Sequence, residues 1–247
     1  MKVLAVFSIK GGVGKTATAV NLADLAARNG QRVLLWDLDP QGAASFYLRI
    51  KPRVKGGVEK LLAKGRLDRW ICESDHARVD LMPADFSYRN MDLELDEAGK
   101  PRKRLAQLLA PMAAHYDVAF LDCPPSISLA SESVFRAADA LVSPVIPTTL
   151  CLRTHRQLER HLADIGRKAP DLLPFFAMVD RRKALHRELC ESIRSESPAF
   201  LKTRIPYSSV VEKMGVRRAP LGAFAPRSHA GLAYRALWEE IATRIQD

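Results

Sequence analysis

Lys10-Gly11-Gly12-Val13-Gly14-Lys15-Thr16 is the run in this chain best equipped for chemistry. It follows a short apolar strand candidate, Val3 to Phe7, and opens a helix candidate. Glycines at 11, 12 and 14 let the backbone adopt positive φ and approach phosphate oxygens closely, so that successive N–H groups point at an anion. The helix N-terminus adds its partial positive charge. Lys15 stands where a phosphate-loop lysine reaches the β- and γ-phosphates, and the Thr16 hydroxyl stands where it can ligate Mg²⁺. Ile9 replaces the first glycine of the common Gly-x-x-x-x-Gly-Lys-[Ser/Thr] pattern, and Lys10 is an added element. Five residues ahead of Lys15 on a flexible loop, Lys10 can reach a phosphate on a partner subunit more readily than one on its own. The bland alternative, a glycine-rich turn that binds nothing, does not account for two lysines in that context.

Two further segments place carboxylates where such a loop needs them. Val33 to Gly42 reads as a buried strand ending in Asp37-Leu38-Asp39, and Val118 to Pro125 repeats the design with Asp122. Open α/β sheets bind ligands at the C-terminal ends of their parallel strands. A carboxylate there can hold Mg²⁺ through water. A lone strand-terminal Asp is more often a turn former, but three strands ending in Gly-Lys-Thr, Asp-x-Asp and Asp-x-Pro-Pro form a constellation.

The elements that must position these groups alternate. Strand candidates at 2–7, 32–37, 117–121, 140–146, 173–179 and 200–205, with an extra strand near 79–82, are separated by helix candidates at 15–29, 101–114, 129–138, 151–168, 182–195 and 229–245. This pattern predicts an α/β fold, a P-loop NTPase with a mostly parallel central sheet and helices on both faces. A single domain over residues 1–247 suffices, since a chain of 247 residues buries one substantial core. Residues 50–100 are the least regular.

These segments resemble the ParA/MinD superfamily of deviant Walker ATPases, and its ParA/Soj branch more closely than MinD. Asn21-Leu22-Ala23, Pro144 to Pro147, Ile205-Pro206 and Tyr234-x-x-Leu237 extend the likeness over nearly the whole chain. The resemblance implies ATP and Mg²⁺ as cofactors, a slow partner-stimulated ATP hydrolysis, and an ATP-dependent sandwich homodimer. Lys10 resembles the signature lysine that crosses that dimer, acting much as an arginine finger does. Lys15 resembles the Walker A lysine. Gly11 resembles the glycine that lets two subunits approach, with Gly12, Val13, Gly14, Thr16 and Ala17 completing the phosphate cradle. Ala17 stands where a threonine is usual. Thr16 and Asp122 resemble the Mg²⁺ ligands, direct and through water. Asp39 resembles the acid that positions the attacking water, supported by Asp37. Met178, Asp180 and Pro206 resemble the adenine-side contacts.

Charge adds to this picture. The net charge is +10, and residues 150–247 carry 18 basic and 11 acidic groups. A basic carboxy-terminal portion on an ATP-switched dimer suits non-specific DNA binding through phosphates. Soj-type relatives carry arginines just after the Ile-Pro pair, whereas Tyr207-Ser208-Ser209-Val210 stands here. The candidate DNA contacts are therefore Lys213, Arg217, Arg218 and Arg227, with Arg181 and Arg182 as a second cluster, and the surface is shifted, weakened or absent relative to those relatives.

The functional expectation is an ATP-dependent switch that positions or partitions an intracellular cargo, with a ParB-like or cargo-adaptor protein as activator. The expected location is cytoplasmic and nucleoid-associated. A MinD-like membrane-cycling regulator would need an exposed basic amphipathic tail. Leu232 to Asp247 instead reads as a packing helix with Leu232, Leu237, Ile241 and Ile245 in register, so no stable membrane anchor is expected. An iron–sulfur reductase would need bridging cysteines; Cys72, Cys123, Cys151 and Cys190 show no Cys-x-x-Cys pairing. An amidoligase of dethiobiotin-synthetase type shares the loop but not usually the extra lysine. With no extension before the first strand, a helix-turn-helix domain is not expected.

Overall fold

The computed structural model describes residues 1–245. Eight strands form one sheet: β1 (Lys2–Val6), β2 (Val33–Asp37), β3 (Cys72–Glu73), β4 (Val79–Met82), β5 (Val118–Asp122), β6 (Ala140–Val145), β7 (Asp171–Val179) and β8 (Arg204–Pro206). Their spatial order is β3-β4-β2-β5-β1-β6-β7-β8. All pairings are parallel except β3 with β4. The helices are α1 (Lys15–Arg28), α2 (Ala43–Tyr47), α3 (Gly57–Lys64), α4 (Met91–Glu97), α5 (Arg104–Leu109), α6 (Leu129–Ala137), α7 (Thr149–Ile165), α8 (Ala184–Glu196), α9 (Ser209–Arg217), α10 (Leu221–Phe224) and α11 (His229–Arg244).

The central strands read as continuous apolar runs because both faces are covered. Alternate side chains enter opposite cores. Leu4, Val6, Val33, Leu35, Val118 and Phe120 pack on one face with α1 and α11. Val3, Ala5, Leu34, Trp36, Ala119 and Leu121 pack on the other, against α3 to α7. This double coverage holds β1, β2 and β5 rigid, so their C-terminal ends form a fixed platform.

Several sequence expectations change in detail. The strand expected at 200–205 is confined to Arg204–Pro206. Phe200 and Leu201 are buried on the approach, and the Leu201 amide donates to the Pro174 carbonyl. The helix expected at 101–114 divides into a 3₁₀ turn, α5 and a second 3₁₀ turn, because Pro111 brings no N–H to the helical ladder. Arg182 lies outside α8, which begins at Ala184. Helices α2, α3, α4, α9 and α10 had no counterpart in the sequence reading.

Helix α11 turns Leu237 and Ile241 inward as expected, with Ile245 packed against the same core, but Leu232 does not join them. Tyr234, Leu237, Trp238 and Ile241 are buried, whereas Leu232 is 49% exposed. The Trp238 ring meets Phe120 edge-on at 5.8 Å, so two bulky aromatics set the inward face. The helix is thus a packed element, as expected; Asp247 lies outside the described residues. Among those described, no helix is long and apolar enough to cross a membrane.

Candidate functional site

The loop after β1 turns tightly into α1, and Gly14 is the left-handed residue that permits it, with φ 91° at the helix N-cap. Gly12 also has positive φ, 72°. Below the turn, the Thr18 amide and hydroxyl both donate to the Gly14 carbonyl, at 3.0 and 2.8 Å. These bonds hold the first turn of α1 while Lys15, Thr16 and the loop backbone face a cleft of about 380 Å³.

The acidic side of the site comes from sheet register. Asp37 and Asp122 are direct neighbours across β2 and β5, and Val6, which leads into the loop, is the other neighbour of Asp122. Both carboxylates are fully buried. Asp37 Oδ2 accepts from the amide and the hydroxyl of Ser45, each at 2.8 Å. The Ser45 hydroxyl oxygen accepts in turn from the Ala84 amide at 3.0 Å. Neither Asp122 oxygen has a hydrogen-bond partner among the described residues, and Asp37 Oδ1 has none either.

That arrangement is electrostatically unfinished. Burial pushes the Asp122 carboxyl well above the usual range, and neighbouring Asp37 adds to the rise while Thr16 and Lys15 oppose it. Burial likewise raises Asp37, to about 6, against the pull of the Ser45 hydrogen bonds. Lys15 is 7% exposed, and its burial lowers its ammonium pKa despite the opposing fields of Asp122 and Asp39. Buried oxygens without donors, beside a threonine hydroxyl, form a hard-oxygen donor set of the kind Mg²⁺ takes when phosphates and waters supply the remaining ligands. Among the described residues, no group of three or more His, Cys, Asp or Glu side chains forms a protein-only metal cage.

Asp39 sits further out. It lines the cleft, its Oδ1 accepts from the Gln41 amide at 2.9 Å, and its carbonyl accepts from the Gly42 amide. The same cleft takes in Gly11, Gly12, Val13, Gly14 and Ala17, and at its far side Met178 and Pro206. Met178 adopts positive φ, 53°, next to an irregularity in the β7–β8 pairing. Gly11 lies beside Pro125: a Cβ there would come within 3.9 Å of the proline ring.

Four predicted nucleotide-site residues do not line the cleft: Asp37 and Asp122, which are fully buried, and Asp180 and Lys10. Asp180 is turned into a two-pronged ion pair with Arg182, at 2.9 Å on each prong, which holds its carboxyl down at about 2. Its amide donates to His186 Nδ1. Lys10 does not line its own subunit's cleft and lies near Cys151 at the start of α7. Conversely, Tyr47, Tyr207, Glu212 and Tyr234 line the cleft without having been singled out. Tyr207 and Glu212 are joined by a 3.2 Å hydrogen bond. The available signal was Ser208 ahead of Val210, Val211 and Met214, a capped amphipathic turn that became α9.

Of the predicted DNA contacts, Lys213, Arg217 and Arg218 share α9 and its C-cap, Arg227 is exposed on the turn before α11, and Arg181 and Arg182 lie on the turn between β7 and α8. The structure therefore divides these six residues among three places.

A glycine loop between a central parallel strand and a helix, with strand-end carboxylates beside it, defines a P-loop NTPase. Residues 1–173 match the family described as AAA domain, and the chain belongs to that family, within its ParA/Soj branch of deviant Walker ATPases. It is 30% identical to the sporulation initiation inhibitor protein Soj of Bacillus subtilis, over 98% of both chains. It is 28% identical to the chromosome partitioning protein ParA of Caulobacter vibrioides, over 100% of this chain and 96% of that one. Among solved structures, cobyrinic acid a,c-diamide synthase from Mycobacterium smegmatis with bound ADP and magnesium superposes with a TM-score of 0.83 at 25% identity, covering 100% and 96% of the two chains.

Proposed function

We propose that this protein is an ATP-dependent dimerising switch that hydrolyses ATP and positions or partitions a cargo by holding DNA in its ATP state. The observation that carries the nucleotide chemistry is the fully buried Asp122 carboxylate, close enough to Lys15 and Thr16 of the glycine loop for both to favour its charged form. Thr16 and Asp122 would hold Mg²⁺, which supplies charge neutralisation for the phosphates when bound. Lys15 and the loop amides orient and neutralise the phosphate chain. Asp39, exposed to the cleft and held by Gln41, orients the attacking water. Phosphoryl transfer needs little more from a protein than such positioning and charge stabilisation.

The placement of Lys10 outside its own cleft supports a role across an interface. A second subunit would then present Lys10 to the neighbouring nucleotide, and Gly11, flanked by Pro125, would mark the close approach. The likeness to the chromosome partitioning protein ParA supports a cargo-positioning role. The iron–sulfur alternative loses support because Cys123 is 1% exposed, with its thiol on the Leu121 carbonyl. A membrane-cycling role loses support from the packed α11.

The likeness to cobyrinic acid a,c-diamide synthase favours a second reading, an ATP-dependent ligase. Light scattering with ADP, ATP and a non-hydrolysable analogue, paired with phosphate release, separates the two. ATP-driven dimers with acceptor-free turnover support the switch. A monomer in every state, with turnover only on adding a carboxylic acid and an amine donor, supports the ligase.

A further inference from the structure

The nucleotide cleft and a basic surface groove share a wall. Ala43 and Tyr47 of α2 line the cleft, and both also line a shallow groove on the outer side of the same helix. That groove includes Phe46, Arg49, Lys51 and Arg218. It brings together two stretches of chain that sequence order separates by about 170 residues, and only the second of them contains residues predicted from sequence to contact DNA.

The join is specific. The Arg218 guanidinium stacks over the Phe46 ring, 4.6 Å from its centroid, and its Nε donates to the Phe46 carbonyl at 2.9 Å. Arg49 Nη2 donates to the Arg217 carbonyl at 3.2 Å. Arg49, Lys51, Lys213 and Arg217 are exposed, and Phe46 keeps 47% of its surface open. Among the described ion pairs, the only carboxylate meeting these cations is Asp75, at 3.5 Å from Arg49. Glu212, on the same helix as Lys213, is turned to Tyr207 in the cleft. By contrast, Arg182 in the other basic cluster is already neutralised by Asp180.

The inner side of α2 is anchored to the catalytic acids. Ser45 donates twice to Asp37, and the Gly42 amide, at the N-cap of α2, donates to the Asp39 carbonyl. Gly42 has φ 66°, and a Cβ there would lie 2.8 Å from Pro52, so the helix start is also pressed against the Lys51–Arg53 loop. A shift of Asp37 or Asp39 is therefore transmitted to a helix whose Phe46 holds the Arg218 guanidinium and which leads directly into Arg49 and Lys51.

We propose that the α2–α9 seam is the surface that grips duplex DNA phosphates, and that α2 couples its grip to the nucleotide. The proposal rests on the DNA-holding reading above and goes beyond it in assigning place and regulation. Forked guanidinium donors beside a partly open aromatic ring suit a phosphate backbone, and such contacts are read out by salt.

The test is anisotropy of a labelled random-sequence duplex with ADP and with ATP, over a salt series, with binding of a fluorescent ATP analogue as a check on folding. Lys51→Glu and Lys213→Glu are expected to weaken ATP-state DNA binding at least about tenfold and to lower the log–log salt slope by about one each. Arg182→Glu is expected to change it less than about threefold. Ser45→Ala is expected to bring the ATP and ADP affinities for DNA together while the analogue still binds. Seam variants that bind DNA as the unmodified chain does, or an unchanged ATP-to-ADP ratio in Ser45→Ala, overturn the proposal while leaving the DNA reading intact. No DNA binding by the unmodified chain in any state overturns the DNA reading itself. Binding to anionic phosphatidylglycerol vesicles that the seam variants lose, without DNA binding, reassigns the seam to a membrane surface.

Discussion

Asp37 and Asp122 face each other in register at the C-terminal ends of β2 and β5, both fully buried, and Asp37 accepts two hydrogen bonds from Ser45. Two like charges in that position disfavour their own ionisation unless a cation joins them. The protein thus holds a charge imbalance that a bound metal–phosphate complex would relieve.

This imbalance sets a pH dependence of stability. The folded-state pKa of Asp37 is raised to about 6, above the ordinary value of 3.8. A carboxyl whose folded pKa is raised binds its proton more tightly in the native state, so its destabilising contribution is absent below about pH 4, grows as pH rises, and is complete above about pH 6. The size is about 3 kcal/mol at most. Thermal unfolding in EDTA is expected to show a lower Tm at pH 7.5 than at pH 5, with a flatter profile in Asp37→Asn. An equally steep profile in that variant would assign the slope to other groups.

The two loop lysines are expected to separate in function. Lys15→Ala should abolish nucleotide binding, measured by calorimetry. Lys10→Ala should leave binding within a few-fold and remove ATP-driven dimerisation and hydrolysis. Equal loss of binding in both variants would place Lys10 in its own subunit's site.

Asp39 is predicted to act on water rather than on nucleotide affinity. Asp39→Ala should retain ATP binding and accumulate an ATP-bound dimer, with phosphate release reduced by about a hundredfold or more. Rapid phosphate release by this variant removes Asp39 from that role.

Helix α11 is predicted to be structural. Trp238→Ala deletes a side chain that is 2% exposed and stacked edge-on against Phe120, at a cost of about 3–5 kcal/mol in urea unfolding. A change below about 1 kcal/mol would mean that the helix is not docked in solution and would reopen a membrane role for this end of the chain.

Much of the site was legible because its chemistry is local. The loop needs glycine at Gly12 and Gly14 for backbone reasons and lysine at Lys15 for charge, and both demands are met within a few residues. Asp37, Asp39 and Asp122 were legible only together with the loop, because a lone strand-end acid is more often a turn former, whereas two such strands beside a Gly-Lys-Thr strand end form a set. Asp180 entered only through the family resemblance, and its capture by Arg182, two residues on, is a side-chain pairing that the resemblance did not carry. The inward stripe of α11 was read correctly at Leu237, Ile241 and Ile245 but not at Leu232, because Tyr234 and Trp238, whose rings pack on the same core, complete that face in its place.

The amino-acid sequence alone determined the strand–loop–helix that cradles an anion, the acids available to it and the alternation that demands a parallel sheet, since each depends on neighbours within a few residues. Tertiary structure alone decided that Asp37 and Asp122 are paired across the sheet, that Ser45 ties Asp37 to α2, and that Phe46 and Arg49 meet Arg217 and Arg218. Those relationships depend on strand register and on the docking of α9, which arise from burial summed over the whole core and leave no local pattern in the chain.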